Sequence, residues 1–485
     1  MKRLILLPTM ALLLVATTPG LALASDTPTT AGTSTIEDVS LAIDTVWVVV
    51  AALLVLFMQA GFAMLEVGFS RMKNVGSVVA KILANMGIGL IAYWIAGFAF
   101  AFGDGDSLNP IIGLHGFFTN PGADANATFA GLSWTAVPLS AKFLFQVAFA
   151  LVSLAIVWGT MLERTKFAVY LIFAVVFAGL IYPTVSHWIW GGGWLTELGM
   201  QDFAGSTVVH LQGAMAALAG TLLLGPRIGK YDEAGRPQTI PGHNMPLAVL
   251  GVLILWIGWW GFNPGSTLSA VGAPFADIAL TTNLAAGAGV LGAMTMSYIY
   301  RRNIDVGMAG NGAIAALVAI TAACAFVDPW ASIVIGFVAG IVMYVTLVLV
   351  DQIGVDDPLG AIAAHGMGGV WGTLSCGLFA TPALAESVGA GQGGLFYTGS
   401  FYQLGIQALG IATAGAFTFI TSYAVFAALK ATIGLRVKPE EELNGLDISE
   451  HGVYGYSEQL VATDPNGSAR TLPDPLERTA GGTAS

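Results

Sequence analysis

Runs of about 20 apolar residues, the length a helix needs to cross roughly 30 Å of hydrocarbon, recur along almost the whole chain. Eleven are read, at about 43–69, 77–102, 138–162, 167–188, 203–225, 245–263, 276–300, 306–325, 330–352, 358–380 and 402–431. A backbone in lipid must satisfy its own hydrogen bonds, so successive spans of this length predict an all-α integral membrane bundle. The charge content agrees: only 10% of the 485 residues are Asp, Glu, Lys or Arg, against roughly 25% in a soluble domain. A soluble multidomain enzyme is thereby excluded. The 62 glycines suit close helix–helix approach in a membrane. Cys324 and Cys376 both lie in apolar runs, so neither a disulfide framework nor a metal cluster is expected.

Lys2 and Arg3, the apolar stretch Leu4–Leu14 and then Ala22-Leu23-Ala24 have the layout of a cleavable signal peptide over 1–24. A polar external leader is expected over 25–42, the membrane domain over 43–431 and a cytoplasmic tail over 432–485. Twelve Lys and Arg fall in alternate short loops or after the last span: Arg71, Lys73, Arg164, Lys166, Arg227, Lys230, Arg236, Arg301, Arg302, Lys430, Arg436 and Lys438. The other loops, about 104–137, 189–202, 264–275 and 381–401, contain none. The positive-inside rule then puts the mature N-terminus outside and the C-terminus inside. Lys81 and Lys142, near span ends, are expected to snorkel. Nine acids against two Arg after Lys438 give the tail a net charge of -7, most of the chain's -11.

The fifth and tenth spans share a pattern, Asp202-Phe-Ala-Gly-Ser-Thr-Val-Val-His210 and Asp357-Pro-Leu-Gly-Ala-Ile-Ala-Ala-His365. An Asp at a helix start caps free N–H groups and meets the positive end of the dipole. Eight residues of helix, about 12 Å, put each His near the middle of the membrane. The two spans enter from opposite sides, so spans 1–5 and 6–10 are expected to form an inverted repeat with its site at the interface. A midplane His is costly and is a functional candidate by default. No His or Cys neighbours stand at metal-ligand spacing, no nucleotide loop or nucleophile elbow appears, and no basic stripe suits nucleic acid.

Aromatic residues gather at the expected outer ends of spans: Phe145 and Phe149, one turn apart, Trp190 before Gly191-Gly192-Gly193, and Phe262 after Trp259 and Trp260. They read either as an interfacial belt, which suits Trp188, Trp194 and Trp330, or as a cation–π cup above a pore.

These residues carry a resemblance. The stretches Gly61-Phe-Ala-Met-Leu-Glu66, Met161-Leu-Glu-Arg164, Asp202 to His210, Gly261 to Ser266 and Asp356-Asp357-Pro358 to His365-Gly366 resemble the ammonium transporter family (Amt/Mep, relatives of the Rhesus glycoproteins) over about 41–456. The resemblance implies an eleven-helix homotrimer in the bacterial inner membrane, one pore per subunit, no cofactor and no enzymatic activity. By position, Phe145, Phe149, Trp190 and Ser266 would recruit ammonium, or methylammonium, at the external face. Phe149 and Phe262 would close the pore, His210 and His365 would be its twin histidines, and Asp202 would support the outer site and deprotonation. Neutral ammonia would then pass to the cytoplasm, with the proton relayed separately. Trp190 and Ser266 favour the Amt branch over a Rhesus-type channel for neutral ammonia or carbon dioxide. An ammonium sensor of the same fold is the other alternative; the 47 residues after Lys438 read as too short and polar for a fused signalling domain. The segment Gly445 to Tyr456 resembles the family's regulatory tail, which touches neighbouring subunits and answers to a PII-type nitrogen-signalling protein. The family usually has an acid where Val453 stands.

Overall fold

A computed structural model describes residues 35–122, 125–456, 461–463 and 469–471. The expected signal peptide, 1–24, and most of the leader lie outside them. Everything that positions the site belongs to one unit, Leu41–Ser485. Among the described residues, eleven long helices follow in order: α1 Ile36–Phe69, α2 Met72–Phe102, α3 Leu139–Gly159, α4 167–189, α5 Ser206–Leu224, α6 Met245–Phe262, α7 Pro274–Arg301, α8 Val306–Ala323, α9 Pro329–Gln352, α10 362–379 and α11 Tyr402–Thr432. α1 begins seven residues before the expected start at 43. Ten of these helices are long and apolar enough to cross a membrane; α10 is not among the ten. Its run of Gly, Ser, Thr and His lowers its hydropathy, and most of it is buried against other helices, where protein rather than lipid is its solvent. In the tail, α12 (Pro439–Asn444) and α13 (Leu446–His451) are followed by a short antiparallel pairing of Val461–Thr463 with Ala469–Thr471. These are the only strands among the described residues, and they lie in the tail, beyond the expected all-α membrane domain.

Local signals start several helices where they lie. Asn244 accepts a bond from Leu247 N at the head of α6, and Asp305 one from Met308 N at the head of α8. Pro274 and Pro329 open α7 and α9, where a missing N–H costs nothing. Helices α7, α8 and α9 pack through small residues: a Cβ on Gly292, Gly336 or Gly340 would strike the neighbouring helix backbone, the close approach that membrane helices favour. Four helices contain a wide π turn: Tyr93–Gly97 in α2, Phe177–Ile181 in α4, Ser206–Leu211 in α5 and Ile362–Met367 in α10. α5 runs from the aromatic end of the bundle, beside Trp190, to the end where Arg436 meets Leu224 O. α10 starts at that second, charged end beside Asp356 and runs the other way.

Three expectations about polar and aromatic side chains are corrected. Lys81 does not snorkel: it is 2% exposed and paired with Glu66 of α1, because a partner inside the bundle satisfies it better than an interface would. Lys142, also buried, turns to the loop and donates to Leu132 O and Thr135 O at 2.8 and 2.7 Å. Trp188 is buried and donates to Ile111 O, so it anchors a loop rather than joining a belt; Trp330, half exposed, suits one.

Candidate functional site

Both Asp–His segments are built alike. The Asp202 carboxylate accepts N–H bonds from Gly205 (3.0 Å), Thr207 and Val208 (2.9 Å each). The Asp357 carboxylate accepts from Ala361 (2.9 Å) and Ile362 (2.8 Å). Each aspartate therefore satisfies the orphan donors at the head of its helix. Gly205 sits at φ +115, and a Cβ there would meet Val209 and come within 3.1 Å of the Trp190 ring. Each histidine lies in a π turn just inside the cap, a distortion that recurs at functional sites.

The two turns meet. His210 Nδ1 and His365 Nδ1 are 3.2 Å apart, and the rings are near-parallel at 19° with centroids 5.2 Å apart. One Nδ1 must donate and the other accept, so one outward Nε2 is an acceptor and the other a donor. The pair is buried: His210 is 0% and His365 5% exposed, and His210 Nε2 has no partner among the described residues. Trp259 stacks on His210 at 17°, 5.3 Å away, and its Nε1 donates to Thr321 Oγ1. Phe262 lies 5.4 Å from His210 on the aromatic side.

Phe262 stacks against Phe149, centroids 4.1 Å apart, and Phe149 contacts both Phe145 (4.6 Å) and, edge-on, Trp190 (6.0 Å). Trp190 donates its Nε1–H to the Asp202 carbonyl at 2.7 Å. Ser266 lies in the turn Pro264–Thr267 after α6, and its hydroxyl donates to Phe262 O at 2.8 Å. Gly265 lets that turn approach; a Cβ there would reach the Phe145 ring at 2.9 Å. Phe145, Phe149, Trp190 and Ser266 thus line one cavity of about 180 Å³. It borders a wider hollow of about 790 Å³ that shares Trp134, Trp190 and Ser266 and also reaches Asp202. On the far side of the histidines a cavity of about 20 Å³ is lined by His365, Glu66, Asn311 and Phe62. The order is therefore aromatic cavity, stacked Phe149–Phe262, paired histidines, small cavity.

All eight site residues expected from the sequence come together. Three others were missed. Trp259 precedes Phe262 by one turn and so shares its face. Trp134 lies in a loop whose course no periodicity reveals. Glu66 was visible as an ionisable residue in an apolar run, which is itself a functional signal.

The charged end is tied by ion pairs between loops. Arg71 and Arg227 meet Glu163 at 2.7 and 3.3 Å, and Arg227 meets Asp356 at 2.9 Å. Burial opposes ionisation of Glu163, but Arg227 and Arg71 outweigh it and hold its carboxyl below the ordinary range. Arg164 and Arg227 do the same for Asp356 against its burial. The tail docks here. Asp447 accepts bonds from Gly76 N and Ser77 N, capping α2, and Glu442 pairs with Arg436.

The profile of the Ammonium Transporter Family matches residues 46–456. Ammonium transporter Amt2 of Archaeoglobus fulgidus is 44% identical over 432 residues, covering 87% of this chain and 89% of its own. Among solved structures, one described as Sensor Amt Protein superposes with TM-score 0.78 at 37% identity, covering 86% of this chain and 100% of its own. Candida albicans Mep2 superposes with TM-score 0.76 at 28% identity, covering 90% and 96%.

Proposed function

The chain belongs to the ammonium transporter family, and on that premise we propose that it recruits ammonium in the aromatic cavity and passes ammonia along the His210–His365 pair. The observation that carries the reading is the serial order: four cation-compatible residues share one cavity, and stacked Phe149 and Phe262 separate it from the buried histidines. A desolvated cation over Trp or Phe gains about 2 kcal/mol. Bare ammonium in hydrocarbon costs tens of kcal/mol by idealised Born arguments, so the aromatic cavity holds the cation but cannot carry it further. The proton leaves near the stacked rings, supported by Asp202 through the backbone it organises, and neutral ammonia continues. Ser266 donates its hydroxyl hydrogen to Phe262 O, which leaves oxygen lone pairs for ammonium N–H groups. Potassium offers no such donor. The twin histidines supply one donor and one acceptor Nε2 and relay the proton separately.

By the loop charges, the aromatic end faces outward and the charged end the cytoplasm. Eleven spans in an inverted repeat, a cleaved signal peptide, a homotrimer in the inner membrane and a tail that answers a PII-type protein belong to the same proposal. Proteoliposomes test it through methylammonium uptake and ammonium-evoked current. His210→Ala/His365→Ala should change rate or ammonium-over-potassium selectivity; unchanged values of both would sink the twin-histidine role. Trp190→Leu should weaken affinity or rate, and no effect would return Trp190 to an interfacial role.

A second reading, an ammonium sensor, is favoured by the 37% identity to the Sensor Amt Protein. Growth of an ammonium-uptake-deficient strain on limiting ammonium separates the two: a transporter restores it, a pure sensor does not.

A further inference from the structure

The path above does not use the buried ion pair between α1 and α2. Glu66, in the last turns of α1, is 0% exposed, and Lys81 of α2 is 2% exposed. Lys81 donates to Glu66 Oε2 and lies 6.0 Å from the Tyr170 ring centroid. The other oxygen, Oε1, has no hydrogen-bond partner among the described residues. Buried polar atoms are rarely left so, and each one asks for an explanation. Glu66 also lines the small cavity next to His365, with Asn311, Phe62 and Ile314 completing its wall. Its volume of about 20 Å³ admits one molecule the size of water, which is also the size of ammonia. Asn311 is fixed there by its amide bond to Leu359 O at 2.9 Å.

We propose that Glu66 Oε1 is an acceptor for ammonia on the far side of the twin histidines, taking an N–H bond from the molecule that has just left His365. The proposal rests on the transport reading and adds a binding residue to it. The pairing with Lys81 gives the station its character. Paired, the carboxylate offers a strong acceptor with no net charge, so a neutral donor is held briefly and released. A bare carboxylate in the same cavity would trap the cation. A small molecule with no hydrogen to donate, such as carbon dioxide, gains nothing from it.

Four full-length proteins in proteoliposomes, assayed by uptake of labelled methylammonium and by ammonium-evoked current, test this: wild type, Glu66→Leu/Lys81→Met, Glu66→Gln/Lys81→Met and Lys81→Met. Replacing a buried ion pair by apolar groups is often neutral for folding, so the apolar double variant is expected to stay monodisperse and folded in detergent while uptake falls about tenfold. The Gln/Met variant keeps an oxygen acceptor and is expected to stay within about threefold of wild type. Lys81→Met, with its unpaired carboxylate, should show a lower apparent KM together with a lower maximal rate. A folded apolar variant that transports at the wild-type rate overturns the proposal. So does a Gln/Met variant as impaired as the apolar one, or an apolar variant that does not fold, which would assign the pair to folding. A wild-type protein silent in both assays overturns the transport reading itself.

Discussion

The two ends of the bundle are held together in opposite ways. At the charged end, loops are locked by guanidinium–carboxylate pairs: Arg71, Arg227, Glu163 and Asp356 form one chain, and Arg436 with Glu442 ties in the tail. At the aromatic end the fastenings are mainly bonds to backbone groups: Trp190 and Trp188 to carbonyls, Lys142 to two carbonyls, Asp202 from three amides. The loops there contain no Lys or Arg. A site that must attract a small cation cannot be built from guanidinium groups, because like charge would repel its ligand. On the proposed function the charged end has no recruitment to perform, and it uses the stronger fastener. Stability and transport should therefore respond to different ends of the molecule.

The largest expected effect is at the charged end. Asp356→Ala strips buried Arg164 of its carboxylate and leaves buried Arg227 with Glu163 alone, and breaking a buried pair this way costs about 3–5 kcal/mol. Thermal unfolding in detergent measures it. The same pairs predict an acid limit. Glu163 and Asp356 have depressed folded-state pKa values, so their contribution is fully present above the ordinary carboxylate value of about 4. It is lost as pH falls through the depressed values. The thermal midpoint should be insensitive to these two groups from pH 8 to about 5 and drop at lower pH; a drop already complete at pH 6 would contradict the assignment.

At the aromatic end, Asp202→Ala removes the cap of α5 and should cost about 0.5–2 kcal/mol of stability while also loosening the carbonyl that holds Trp190. Ser266→Ala should leave the thermal midpoint alone but weaken ammonium binding by about tenfold, the worth of one hydrogen bond to a charged group. A small effect on folding is also expected for Trp134, which is 63% exposed; Trp134→Lys should shift stability by no more than about 0.5 kcal/mol. By placing a cation in the wall of the aromatic cavity it should slow methylammonium uptake, and the slowing should shrink at high salt. Equal uptake at low salt would break the contrast between the ends.

How far the sequence reveals this depends on whether a contact is local. The helices read well because hydrophobic runs are a one-dimensional signal, and all eleven expected runs contain a long helix. Asp202 and Asp357 read well because a cap acts within its own chain segment. Phe145 and Phe149 were paired by one turn of helix. The Glu66–Lys81 pair was not legible, since a lysine near a span end looks the same whether it reaches for water or for a carboxylate on the next helix. The π turns around His210 and His365 were missed for a different reason. They change how the backbone winds without leaving a mark on apolar spacing, so the depth argued from regular helix holds only approximately. Trp134 depended on a loop's path, which no residue pattern encodes.

The bond between His210 Nδ1 and His365 Nδ1 has a further consequence. In the neutral pair it is made by one hydrogen, carried by either ring while the other ring carries its own on Nε2, so the pair has two settings with donor and acceptor exchanged. A proton entering at the bare Nε2 and leaving from the other would pass through the shared bond and switch the setting. His210 is packed against Trp259 at 17° and Phe262 at 27°, which hold the ring in the plane of that bond. The pair would then hold one bit of memory of the last crossing, and a second proton in the same direction would have to wait until the first ring has lost its Nε2 hydrogen, the second has regained one and the shared hydrogen has moved back between them.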